Sequence, residues 1–144
     1  MEELKHLLQR EEVRGVVRTA TGEIREFHQQ GVIDLFTLLT EAPQMLQGSQ
    51  IADRVIGRGA ALLMVKGGVQ EVFAYVISES ALSIFKQAGI PVTYNSLQPH
   101  IINRTGTDIC PVEKLTSSTS DPDEAYERIK VFLQSKSHYV PKPL

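Results

Sequence analysis

Only one cysteine, Cys110, occurs in the 144 residues. No disulfide can form within the chain, and a reducing cytoplasm is the simplest setting for it. A surplus of charge is missing too. The 15 basic side chains stand against 17 acidic ones, for a formal net charge of −2 with histidine neutral. That excludes the basic footprint by which proteins hold nucleic acid or an anionic membrane. No apolar run approaches the ~20 residues of a membrane span; the longest, Ala60 to Val65, is far shorter. The start Met1-Glu2-Glu3-Leu4-Lys5 has neither the basic head nor the apolar stretch of a secretory signal. Four histidines are scattered with no pair at metal-ligand spacing. Gly57-x-Gly59 and Gly67-Gly68 make neither a P-loop nor a dinucleotide fingerprint. There is no internal repeat and no low-complexity segment.

What remains is an ordinary globular composition, 42% hydrophobic and 22% charged, enough for one domain with a real core. Leu4, Leu7 and Leu8 have helical spacing. Arg14 to Thr19 and Glu23 to His28, joined at Thr21-Gly22, predict an antiparallel hairpin. Asp34, Leu35, Leu38 and Leu39 suit a helix that stops before Pro43. Ile51 to Val65, rich in Ala, Leu and small residues, reads as one buried helix lying close to a sheet and ended by Gly67-Gly68. Val72 to Ile77 reads as the central strand. Ala81 to Ala88 reads as a helix capped by Ser78 or Ser80 and closed by Gly89, with Ile90 to Tyr94 a further strand. A helix between two β-type runs predicts a parallel pair. His100 to Asn103 suits a short strand, Cys110-Pro111 a helix start, and Asp121-Pro122-Asp123-Glu124 a sharper one. The domain is expected over residues 1–135, with 136–144 a flexible tail.

Two stretches carry a resemblance. Ala52-Asp53-Arg54-Val55-Ile56-Gly57 leads into Ala60-Ala61-Leu62-Leu63-Met64, and His100-Ile101-Ile102-Asn103-Arg104-Thr105-Gly106-Thr107-Asp108-Ile109-Cys110-Pro111-Val112-Glu113 follows later. With the strand at Val72 to Ile77 they resemble a family of short prokaryotic proteins described only as a domain of unknown function. That family is placed in the cytidine deaminase-like fold superfamily. The likeness runs from Val13 to Thr116. It implies an α/β fold, a three-layer α-β-α sandwich with a mixed sheet, and a tendency to form homo-oligomers. The zinc deaminases of that superfamily need a His or Cys with a Glu two residues on, then Pro-Cys-x-x-Cys opening the next helix. Here those places hold Asp53 and Val55, then Ser78-Glu79-Ser80-Ala81. Neither has the soft ligands zinc requires, so neither metal, cofactor nor deaminase chemistry is expected.

The leading expectation is a cytoplasmic protein that binds a small polar ligand, with nucleotide or nucleoside suggested by the superfamily alone. Asp53 and Arg54, read at a helix start, and Ser78, Glu79 and Ser80 at the next, would point free N–H groups into one cleft, a setting for an anionic or carbonyl-bearing ligand. Asn103 joins them as a ligand contact. Each has a simpler alternative, since Asp53 suits a helix dipole and a serine suits a cap. An enzyme would use Cys110 as a nucleophile sharpened by its helix start, or Asp53 and Glu113 as acid–base groups. The third expectation is an oligomeric interaction module.

Overall fold

The computed structural model describes residues 1–29, 31–102, 106 and 108–135. Asn103, Arg104, Thr105, Thr107 and residues 136–144, over which a flexible tail was expected, lie outside the described residues. The strands are β1 (Gly15–Arg18), β2 (Ile24–Phe27), β3 (Gln50–Ile56), β4 (Glu71–Ser78) and β5 (Val92–Gln98). The helices are α1 (Glu2–Leu8), α2 (Ile33–Glu41), α3 (Arg58–Gly67), α4 (Glu79–Ala88), α5 (Pro111–Leu115) and α6 (Pro122–Gln134). One five-stranded sheet runs in the order β2-β1-β3-β4-β5. Strand β1 is antiparallel to β2 and β3, while β3, β4 and β5 are mutually parallel.

Period-2 alternation along the strands sorts the apolar side chains onto two faces. Val16, Ala52 and Phe73 pack with Leu4 and Leu8 of α1. Val17, Ile51, Val72 and Ala74 pack with the apolar residues of α2, α3, α4 and α6. The mixed sheet is therefore flanked by helices, as expected, with unequal covering: α1 on one side and a continuous helical layer on the other. Local signals explain the helix ends. Gly68 and Gly89 close α3 and α4 in the left-handed conformation, at φ 79° and 72°, which glycine adopts without a Cβ penalty. Asp121 caps α6 by accepting from the Asp123 amide, with Pro122 in the first turn.

The single helix expected over Ile51 to Val65 is two elements. Gln50–Ile56 is the middle strand of the sheet and the helix begins only at Arg58. The physical reason is that β3 is covered on both faces, so Ile51 and Ala52 are each fully buried. A strand buried on both sides loses the polar–apolar alternation that distinguishes it from a buried helix. Val72 to Ile77 lies beside the middle position, which β3 occupies. The β-α-β unit thus occurs twice, as β3-α3-β4 and β4-α4-β5. The strand expected over His100 to Asn103 reduces, among the described residues, to an isolated bridge between Ile102 and Ile109.

The small residues of α3 serve helix contacts. A Cβ on Gly59 would lie 2.5 Å from Val112 Cγ1, 3.3 Å from Ile129 Cδ1 and 3.5 Å from Thr116 Cγ2. Helices α5 and α6 therefore approach α3 through this glycine. Gly59→Ala is expected to destabilise by about 1–3 kcal/mol through overpacking, although alanine is the better helix former by about 1 kcal/mol. A urea midpoint equal to or above that of the wild type would show that α5 moves away at no cost.

Candidate functional site

Parallel pairing brings two chain turns together. Ile56 is in register with Ile77, and each strand leads straight into a helix. The starts of α3 and α4 consequently lie side by side at the carboxyl end of the sheet, the usual place for ligands in open α/β sheets. The two starts are built differently. At α4 the buried Ser78 is the cap, its Oγ accepting from the Ala81 amide at 3.1 Å. At α3 the cap is Gly57, in extended backbone at φ −98° and ψ −178°, and among the described residues no side chain caps the turn.

Arg58 closes one side of this region. Its Nε lies 2.9 Å from the Thr116 carbonyl and 3.0 Å from that of Thr119. Its Nη2 donates to the Thr119 carbonyl at 2.6 Å and to Ser120 Oγ at 2.9 Å. Its Nη1 donates to Ser80 Oγ at 2.6 Å. One guanidinium thus joins the starts of α3 and α4 to the chain between α5 and α6. Planar, multi-donor geometry is what arginine offers and lysine does not.

Glu113 closes the other side. The side chain is 4% exposed. Its Oε2 accepts from the Ile101 amide, while Oε1 is buried without a hydrogen-bond partner among the described residues. A Cβ on Gly57 would stand 3.6 Å from Oε1 and 3.3 Å from Ile101 Cγ1. The Cys110 amide in turn donates to the Ile101 carbonyl at 2.7 Å. Gly57, Arg58, Ser80, Ile101, Cys110 and Glu113 therefore form one connected group.

Asp53, Arg54 and Glu79, also singled out from the sequence, fall elsewhere. Asp53 is inside β3, opposite Gly15 and Ala74, and not at a helix start. At a strand rise of ~3.3 Å per residue, it lies on the order of 13 Å before Gly57. Burial pushes its carboxyl up to about 7, against the opposing pull of the Arg54 and Val55 amides and of the Arg14 and Arg54 charges. Arg54 reaches the α1 side. Its Nε donates to the Val13 carbonyl at 2.8 Å, and its Nη2 to those of Leu8 and Arg10, both at 2.8 Å. Exposed Glu79 lines a shallow groove with Leu82, Lys86 and Leu97, between α4 and β5. Asn103 is outside the described residues. Cys110 is half-buried at the start of the five-residue α5.

Two contributors were not legible in the sequence. Arg58 finds its carbonyl partners about sixty residues away, and nothing in its surroundings in the chain announces them. Gly57 carried a weak signal, as a glycine just before a helix without a Ser, Thr, Asp or Asn to cap it. Among the described residues, no three His, Cys, Asp or Glu side chains converge as a metal site requires, and no helix is long and apolar enough to cross a membrane.

Comparisons with known proteins agree with the architecture. Residues 3–133 match the family model TM1506, a domain of unknown function designated DUF1893. The crystal structure of a DUF1893 family protein, TM1506 of Thermotoga maritima, is similar at a TM-score of 0.82. The two chains are 22% identical over 91% of this chain and 88% of that one. At that identity the likeness speaks for the fold alone. No curated protein matches the sequence.

Proposed function

The chain belongs to the DUF1893 family, and on that premise we propose that it binds a small polar molecule at the carboxyl ends of β3 and β4. The observation that carries this reading is the buried, unpartnered Oε1 of Glu113 beside the uncapped start of α3. Leaving a buried acceptor unsatisfied costs about 1–3 kcal/mol, and more for a charged group. Buried polar groups without partners are uncommon in native proteins and call for an explanation. A ligand that supplies the missing donor turns that cost into affinity.

Of the residues predicted from sequence, Glu113, Ser80 and Cys110 take part in this reading, with Ser78 as the cap that sets the α4 start. Two finer expectations belong to the same proposal. A deaminase-like ancestry is supported by the parallel β3-β4-β5 unit with helices starting at its strand ends. Self-association is supported by β5, the last strand of the sheet, where Tyr94 and Leu97 are each 40% exposed. An edge strand of this kind invites pairing with another chain.

Native mass spectrometry of freshly purified protein tests the proposal. The expected spectrum shows a non-covalent adduct of small-molecule mass, lost on Glu113→Gln, on a species of more than one chain. An adduct that survives this substitution undamaged would move the site elsewhere.

A further inference from the structure

Resting on that reading of the site, we infer that its ligand presents a neutral amide edge, an N–H beside a C=O, and is not an anion. Two independent features define what the ligand must offer. Glu113 Oε1 is an acceptor without a donor, buried and 3.6 Å from where a Cβ on Gly57 would be. It calls for an N–H or O–H. The start of α3 is the reverse case. Among the described residues no side chain caps this ten-residue helix, and the first N–H groups of a helix have no partner within it. They call for an oxygen acceptor, and the helix dipole adds partial positive charge there.

Neither feature alone selects the ligand, but together they exclude two simple classes. A carboxylate or phosphate would suit the α3 amides and then stand against the Glu113 carboxylate. A cation would suit Glu113 and then face the positive end of α3 and the guanidinium of Arg58. That guanidinium is held by carbonyl and hydroxyl oxygens. A donor and an acceptor side by side on one neutral group answer both needs. Primary amides, lactams and heterocycles with a ring N–H next to a carbonyl share that edge. Ile101, whose Cγ1 is 3.3 Å from where a Cβ on Gly57 would stand, offers an apolar surface to the remainder of the molecule. The absence of a side chain at Gly57 is what brings the ligand near the helix start.

Three probes of one shape separate these possibilities. Benzamide carries donor and acceptor, benzamidine carries donors and a positive charge, and benzoate carries acceptors and a negative charge. The full-length 15N-labelled chain would be titrated with each, and the amides of Arg58, Gly59, Ala60 and Ile101 followed by NMR. Benzamide is expected to shift these four amides saturably, with at least roughly ten-fold tighter binding than either charged probe. Glu113→Gln keeps an oxygen for the Ile101 amide and puts an NH2 where Oε1 stands, so its preference is expected to swing from benzamide toward benzoate. The dispersed spectrum of the variant reports in the same experiment that it is folded. Benzoate binding as tightly as benzamide to the wild type, or an unchanged order of preference in the variant, would overturn the amide inference and leave the site in place. If none of the three probes moves these amides, the site reading itself falls.

Discussion

Replacing Arg58 by alanine is expected to lower the free energy of unfolding by about 2–4 kcal/mol, one of the largest losses available outside the apolar core. Its guanidinium serves the carbonyls of Thr116 and Thr119 and the hydroxyls of Ser80 and Ser120. Thr116 and Thr119 are themselves buried residues, 0% and 5% exposed, so water is a poor substitute for the lost donors. Hydrogen bonds to a charged group contribute about 1.5–3 kcal/mol each in net terms. The half-buried setting of Arg58 lowers the total below a simple sum. Arg58→Lys keeps the charge and loses the fork, so it should recover less than half of the loss. Urea unfolding of the two variants provides the measurement. A change below ~0.5 kcal/mol for Arg58→Ala, within the usual range for surface substitutions, would show that the helix starts are held together by other means.

Asp53→Asn is expected to work in the opposite direction and stabilise the protein at neutral and alkaline pH. The Asp53 carboxyl titrates at about 7 in the fold, against 3.8 for a free aspartate, chiefly because burial disfavours its charge. A raised acid pKa means that the folded chain binds a proton which the unfolded chain has released. Its stabilising share is therefore complete below about pH 4 and is lost as pH rises through 7. At pH 8 the ionised carboxylate should penalise the fold by on the order of 2–4 kcal/mol, after allowance for the partial exposure of the residue. Asparagine has nearly the shape of the protonated acid and still offers an oxygen to the Arg54 and Val55 amides. The gain should be close to zero at pH 4 and grow toward pH 8, as read by denaturation midpoints across that range. A variant that is less stable than the wild type at pH 8 would mean that the charge of Asp53 is favourable through Arg14 and Arg54.

The misreading of Asp53 from sequence shows where sequence evidence ends. The helix ends were legible because single residues enforce them: Gly68, Gly89, Ser78 and Asp121 each act where expected. The hairpin was legible because one pair of strands needs only local alternation and a turn. Strand β3 was not, because helices cover both of its faces and its pairing partners come from far apart in the chain, β1 from upstream and β4 from downstream. Placing Asp53 at a helix start followed from that one error, and Arg54 followed Asp53. The helix start at Cys110-Pro111 was legible because Pro111 marks it locally, and it carries the Glu113 of the candidate site. Its counterpart at Gly57 and Arg58 depends on tertiary pairing that no short window of sequence contains.

The unequal covering of the sheet has a consequence for how the molecule opens. Helix α1 is seven residues long, well short of the ~12–15 needed for marginal helicity in isolation. It is helical because it is docked, through the fully buried Leu4 and Leu8 and through the Arg54 guanidinium bound near its end. Such a segment is a separate cooperative unit, with an opening free energy set by a few contacts and lower than that of the whole fold. Its detachment leaves the helical layer on the far side of the sheet intact while baring Ala52 and Phe73. Amide protons of α1 should then exchange with solvent by this local route. Those of β3, hydrogen-bonded on both sides by β1 and β4, should wait for global unfolding.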